Sequence, residues 1–222
     1  MVRTVIEQAA LAGTSQTLTL AAAPTAGNRL LLAVIPDKIA GTFGTPTDDG
    51  TGTWSLVGTA YEGEDGVSGA LFTKVSDGTE TEIVASWANS RNALLMFVEV
   101  TGAGAVDQYG LSTQHGVSTG RSSGTITAAG AVADAPQLAL AFIGVDSALS
   151  TDAATIVGWS NGFIEIDSMG MGAVNYNTAG DFPSGSIGAK QIEAIGTPAT
   201  EYTWTGDAAD ETMGMLVTIK AA

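Results

Sequence analysis

Apolar residues in this chain recur in short runs separated by turn-forming residues, at roughly the eight-to-twelve-residue rhythm of a β-sandwich or barrel. Thr17-Leu18-Thr19-Leu20 alternates polar and apolar positions, the period of a strand with one buried face. The turn-rich Pro24 to Asn28 leads into Leu30-Leu31-Leu32-Ala33-Val34-Ile35, an unbroken run that predicts a strand covered on both faces. Ile39 to Thr53, rich in Gly, Thr, Asp and Pro, reads as a loop. Alternation resumes at Trp54 to Tyr61, and further strands are predicted at Gly69–Val75, Glu82–Trp87 and Ala93–Val100. Asp77-Gly78 marks a tight turn, because both residue types tolerate positive φ. No window carries sustained i, i+3, i+4 apolar spacing with caps, Ile6 to Ala12 included, so at most short helical turns are expected.

The second half repeats this order. Ser15 to Leu20 matches Ser123 to Ala128, and Leu30 to Ile35 matches Leu138 to Ile143, both 108 positions later. Trp54-Ser55 is matched with Trp159-Ser160, Thr81 to Trp87 with Thr200 to Trp204, and Met96 to Val100 with Leu216 to Lys220. The expected fold is therefore all-β: a jelly-roll-like antiparallel β-sandwich built from two tandem, sequence-related halves, residues 1–110 and 111–222. The connector Thr101 to Gly120 carries Val106, Tyr109 and Leu111, which favours a packed crossover and one compact body over a free linker.

Composition narrows the function classes. With 222 residues, 45% apolar and only 14% charged, the chain can build a sizeable core and is not intrinsically disordered. The net charge of −15 sets it against binding phosphate backbones, so no nucleic-acid partner is expected. That charge serves solubility, or attracts divalent cations or a basic partner. With no cysteine there is neither a disulfide framework nor a thiolate metal site. No apolar stretch follows Met1-Val2-Arg3-Thr4, and the longest aliphatic run is far short of the roughly 20 residues of a membrane helix. A protein made in the cytoplasm without a signal peptide, and not inserted in a membrane, is the expectation.

Candidate chemistry is sparse. Gly116-Val117-Ser118-Thr119-Gly120 matches the nucleophile-elbow string, but no helix follows and the single histidine, His115, precedes the serine. One histidine also falls short of a zinc site. Acidic residues cluster at Asp48-Asp49, at Glu62, Glu64 and Asp65, and at Asp207, Asp210 and Glu211, all beside glycine in predicted turns. Solvent-facing turn residues explain them, and calcium held in an oxygen cage is the one cofactor they offer, although none fits the D-x-[DN]-x-[DN]-G loop. Trp54, Trp87, Trp159 and Trp204 pair between the halves and read as packing residues. Were they exposed, Trp54, Tyr61, Trp159, Tyr176 and Phe182 would be the candidates for a sugar-stacking surface.

Several of these segments are similar to a known family. Ala26 to Val34, Thr53-Trp54-Ser55-Leu56-Val57, Leu71 to Val75, Val106-Asp107, and Gln137 to Asp146 resemble the strand-and-turn motifs of two-part β-rich proteins of bacteriophage virions, minor tail and accessory proteins among them, which also occur in some bacterial surface proteins. The turn before Trp54, Asp48-Asp49-Gly50-Thr51-Gly52, departs from the Pro-Pro-Ala-Gly usual there. The resemblance implies a virion structural protein of the minor tail or capsid-decoration type, not an enzyme. It would contact other virion proteins and form a homo-oligomer, a trimer or ring. The alternative is a carbohydrate- or cell-surface-binding module of a phage tail or adhesin, with a host-surface glycan as partner. That reading uses the long segments Ile39 to Thr53 and Gly162 to Ser186 as its binding edge.

Overall fold

The computed structural model describes residues 2–8, 13–37, 41–63, 67–115, 123–147, 155–169, 184–205 and 209–222. Among these residues there are sixteen strands and no helix. In the first half they are β1 (Val2–Gln8), β2 (Gly13–Thr19), β3 (Arg29–Pro36), β4 (Phe43–Asp48), β5 (Ser55–Leu56), β6 (Ala70–Val75), β7 (Glu82–Arg91) and β8 (Ala93–Val100). The second half contributes β9 (Ala103–His115), β10 (Ser123–Thr127), β11 (Gln137–Ser147), β12 (Thr155–Trp159), β13 (Ile164–Met169), β14 (Ser184–Ile192), β15 (Ala199–Thr205) and β16 (Ala209–Ala221).

The first eight strands form a five-stranded sheet, β1-β8-β3-β6-β5, and a three-stranded sheet, β2-β7-β4. A ribbon folded back on itself pairs β1 with β8, β2 with β7 and β3 with β6. Placing alternate pairs in opposite sheets gives the jelly-roll order; only β5 departs, joining β6 instead of β4. Adding eight to every strand number reproduces the sheets of the second half, β9-β16-β11-β14-β13 and β10-β15-β12. All of the pairings are antiparallel.

Three apolar clusters hold four layers together. Leu18, Leu30, Leu32, Phe72, Ile83, Trp87 and Phe97 fill the first sandwich; Ile126, Ala139, Ala141, Ile143, Phe163, Tyr202 and Leu216 fill the second. The third lies between the two five-stranded sheets and draws on both halves, with Leu31, Ile35, Leu94 and Met96 against Leu140, Phe142, Met213 and Met215. Each large sheet is thus covered on both faces, and β3 and β8 read as unbroken aliphatic runs for that reason.

Close contacts fix how the large sheets stack. Met213 of β16 meets Gly69, just before β6; Ile35 of β3 meets Gly144 of β11; Leu94 of β8 meets Gly185 of β14; and Tyr109 of β9 meets Gly58, just after β5. β1 lies against β13. Exchanging the halves maps this set of contacts onto itself, as an approximate two-fold axis between β3 and β11 requires.

Several details differ from the sequence reading. The connector is β9, an edge strand of the second large sheet paired along β16, so a division at residue 110 falls inside a strand and the chain changes sheets at the turn Thr101-Gly102. Ile39 to Thr53 contains β4, whose register is broken by a bulge between Gly44 and Thr47 around Pro46. Proline cannot donate to a ladder and is admitted at an edge or bulge. Gly162 to Ser186 likewise contains β13 and the start of β14. The 108-residue spacing keeps Leu18 and Ile126 on matching inner faces but fails in β3. Leu30 faces the small sheet, whereas Leu138 packs towards the other large sheet. The position matching Leu30 by face is Ala139, and that matching Phe97 is Leu216, each one residue from the expected match. A one-residue slip exchanges the faces of a strand. The counterpart of Trp54, which precedes β5, is Phe163, which precedes β13.

Candidate functional site

Among the described residues a dense polar cluster is built at one end of the first sandwich, where the loop after β4 meets the turn between β6 and β7. Asp48 ends β4, Lys74 lies on β6, and Glu80 follows the Asp77-Gly78 turn, where Gly78 takes a φ of 86°. The Lys74 side chain points from the large sheet toward the small one. Its Nζ lies 2.8 and 2.7 Å from the two oxygens of Asp48 and 3.0 Å from Glu80 Oε1. The side chains are 1%, 2% and 0% exposed for Lys74, Asp48 and Glu80, so the interaction is removed from water.

Every oxygen of the two carboxylates is engaged. Asp48 Oδ2 accepts from the Trp54 indole N–H at 2.7 Å, and Oδ1 from the Gly50 amide at 3.0 Å. Glu80 Oε2 accepts from the Ser76 hydroxyl at 2.8 Å and the Gly78 amide at 3.2 Å, and Oε1 from the Asp77 amide at 3.0 Å. Burial pushes the Glu80 carboxyl up, but its backbone and Ser76 hydrogen bonds and Lys74 outweigh it and hold the group below its usual value. For Lys74 burial acts downward, and the two carboxylates reverse it, raising the ammonium above its usual value.

Two more carboxylates tie the same loops from outside. Asp49 accepts from the Thr81 hydroxyl and amide and from the Glu82 amide; the Thr81 hydroxyl bond leads in lowering it to about 2. Asp77 accepts from the hydroxyls and amides of Thr51 and Thr79, with the Thr51 hydroxyl leading, and is lowered further. The acidic turn therefore works as a set of struts.

A second arrangement recurs in both halves. The amide of Thr25, in the turn before β3, donates to Glu99 at 2.7 Å, and that of Ala133, in the turn before β11, donates to Asp107 at 2.7 Å. In the first half the carboxylate is on β8 and the cation on β1 (Glu99 and Arg3, 3.5 Å); in the second the cation is on β16 and the carboxylate on β9 (Lys220 and Asp107, 3.7 Å). The ion pair spans matching strands with its polarity exchanged.

The remaining candidates do not converge. Glu62 is exposed on the surface, Asp210 lies in β16, and His115 ends β9 opposite Glu211. Glu64, Asp65, Asp207, Tyr176, Phe182 and the string Gly116 to Gly120 lie outside the described residues. Trp54 is buried in the first core with its N–H on Asp48. Trp159 is half-buried, stacked on Phe163 with ring centres 6.2 Å apart and tilted against Tyr202, and Tyr61 is half-buried at a bridge to Gly69. Trp54 and Trp159 are thus packing residues, not an exposed stacking pair. For calcium to take Asp48 it would have to displace Lys74, and among the described residues no group of three histidine, cysteine or acidic side chains gathers. Sequence reasoning missed Lys74 and Glu80. The available signal was a lysine at an inward position of a strand, two residues after Phe72.

Compared with known families, curated proteins and solved structures, the chain matches none.

Proposed function

We propose that this chain is a structural component of a bacteriophage particle, of the minor tail or capsid-decoration type, that works through protein contacts and carries out no turnover. The single observation that carries the reading is how the polar side chains are employed. Asp48 and Asp49, two of the acidic candidates for metal chemistry, and the neighbouring Asp77 and Glu80 are engaged in bracing two loops. Facing outward instead are Ser15, Thr17 and Thr19 on β2 and Thr125 and Thr127 on β10, which present hydroxyls along strands at the margins of the three-stranded sheets. Such margins offer unpaired backbone groups to a neighbouring chain. The strand-and-turn resemblance to virion proteins supports the same reading.

The test is composition and stoichiometry of intact particles. Particles purified from the phage genome that encodes this chain are expected to contain it at a fixed copy number, and removing its gene should arrest or destabilise assembly. A protein found free in the lysate, absent from particles and dispensable for them, contradicts the proposal.

A further inference from the structure

The geometry points to an intramolecular amide bond between Lys74 Nζ and Asp48 Cγ, formed by the protein itself with Glu80 as proton carrier, that links the two sheets of the first sandwich covalently.

A buried ion pair is a weak source of stability, because desolvating the charges offsets their attraction. Here one ammonium faces two carboxylates with almost no exposure, an arrangement costly to keep charged yet suited to condensation. Nζ sits 2.8 and 2.7 Å from the two oxygens of Asp48, so the carbon between them lies about 3 Å away, the separation that attack needs, and the amine has only to swing from the carboxylate edge to its face before it can bond. The bond needs the neutral amine and neutral acid, reached by moving one proton along these contacts; because the carboxylates hold the Lys74 ammonium above its usual value, that transfer is the uphill step.

The step balances without a co-reactant. The Lys74 ammonium passes one proton to the Asp48 carboxylate, leaving an amine and a carboxylic acid. The nitrogen lone pair forms the Nζ–Cγ bond as the carbonyl electron pair moves onto Oδ2, where the Trp54 indole N–H at 2.7 Å stabilises the developing oxyanion. Glu80, 3.0 Å from Nζ, accepts the proton the nitrogen sheds and delivers it to Oδ1. Oδ1 departs as water while Oδ2 reforms the carbonyl, and Glu80 returns to a carboxylate. No electrons are transferred to or from any other species, and the net charge of the cluster is the same before and after.

The second sandwich supplies a control. Lys190 occupies the matching place on β14, opposite Ala139 as Lys74 is opposite Leu30, but it donates to the main-chain carbonyl of Asn161, with which an amine does not condense. One bond per chain is therefore expected.

Intact-mass measurement of the denatured full chain tests this, with Lys74→Arg as the reference that lacks the nucleophile. The native sequence is expected to be lighter than its calculated mass by one water, Lys74→Arg to have its full mass, and proteolysis to yield a branched peptide joining the segments around Lys74 and Asp48. Glu80→Gln, checked for folding by circular dichroism, is expected to remain largely unlinked. A native chain at full mass, or a water loss mapping to other residues or persisting in Lys74→Arg, overturns the proposal; a folded Glu80→Gln that links as completely as the native chain removes Glu80 from it.

Discussion

At the scale of single residues, Lys74 and the acidic turn show how context decides what a charged side chain does. A lysine whose stem runs inward from β6 must find counter-charges or lose its proton, and Asp48 and Glu80 provide them. Lys74→Met leaves two carboxylates buried without a cation, so a loss of about 3–5 kcal/mol is expected by urea unfolding. Acid should weaken the same region. Asp49 is held down to about 2 and Asp77 lower, so both are depressed relative to an unfolded value near 3.9. A depressed carboxyl stabilises the fold above its unfolded pKa and loses that contribution as pH falls through its folded one. Melting temperature is therefore expected to be level from neutral pH to about 5 and to fall between about 4 and 2, and replacing Asp49 and Asp77 by Asn should flatten that fall. This part of the molecule was poorly legible in the sequence. Acidic residues beside glycine resemble solvent-facing turn residues, and nothing local reveals that Asp48 meets a lysine 26 positions later.

At the scale of elements, legibility followed burial. β3 and β8 were plain because an aliphatic run buried on both faces has no other reading. The same absence of alternation removed the information about which face each residue takes, and the match between halves consequently slipped by one residue there. In β2 and β10, where Thr17-Leu18-Thr19 and Thr125-Ile126-Thr127 alternate, the match held its faces. β4 was hidden because only Pro46 along it is buried, and its glycine, threonines and aspartate mimic a loop. Between elements, glycines set the approach of the two large sheets. A Cβ at Gly185 would come within 2.8 Å of the Ile143 carbonyl oxygen on β11 and press on Leu94 of β8. Gly185→Ala is expected to cost about 1–3 kcal/mol as overpacking, whereas Gly196→Ala, where a Cβ meets nothing within 4 Å, should leave the midpoint of chemical unfolding unchanged.

At the scale of the whole molecule, the decisive feature is the apolar layer shared by the two five-stranded sheets. Among the described residues, Leu31, Ile35, Leu94 and Met96 are covered by Leu140, Phe142, Met213, Met215 and their neighbours, and the same holds in reverse. Neither jelly roll presents a finished surface on that side. The sequence made the two sets of strands visible, and the apolar residues of the connector hinted at packing. It did not reveal that each half exposes its larger sheet to the other, because that requires knowing both faces of β3 and β11 at once. Scanning calorimetry of the full chain tests this most directly. One endotherm is expected, with calorimetric and van't Hoff enthalpies equal, because opening the shared layer strips both sandwiches of one face of their central sheets. Two separable transitions, one half melting while the other stays folded, would contradict the account.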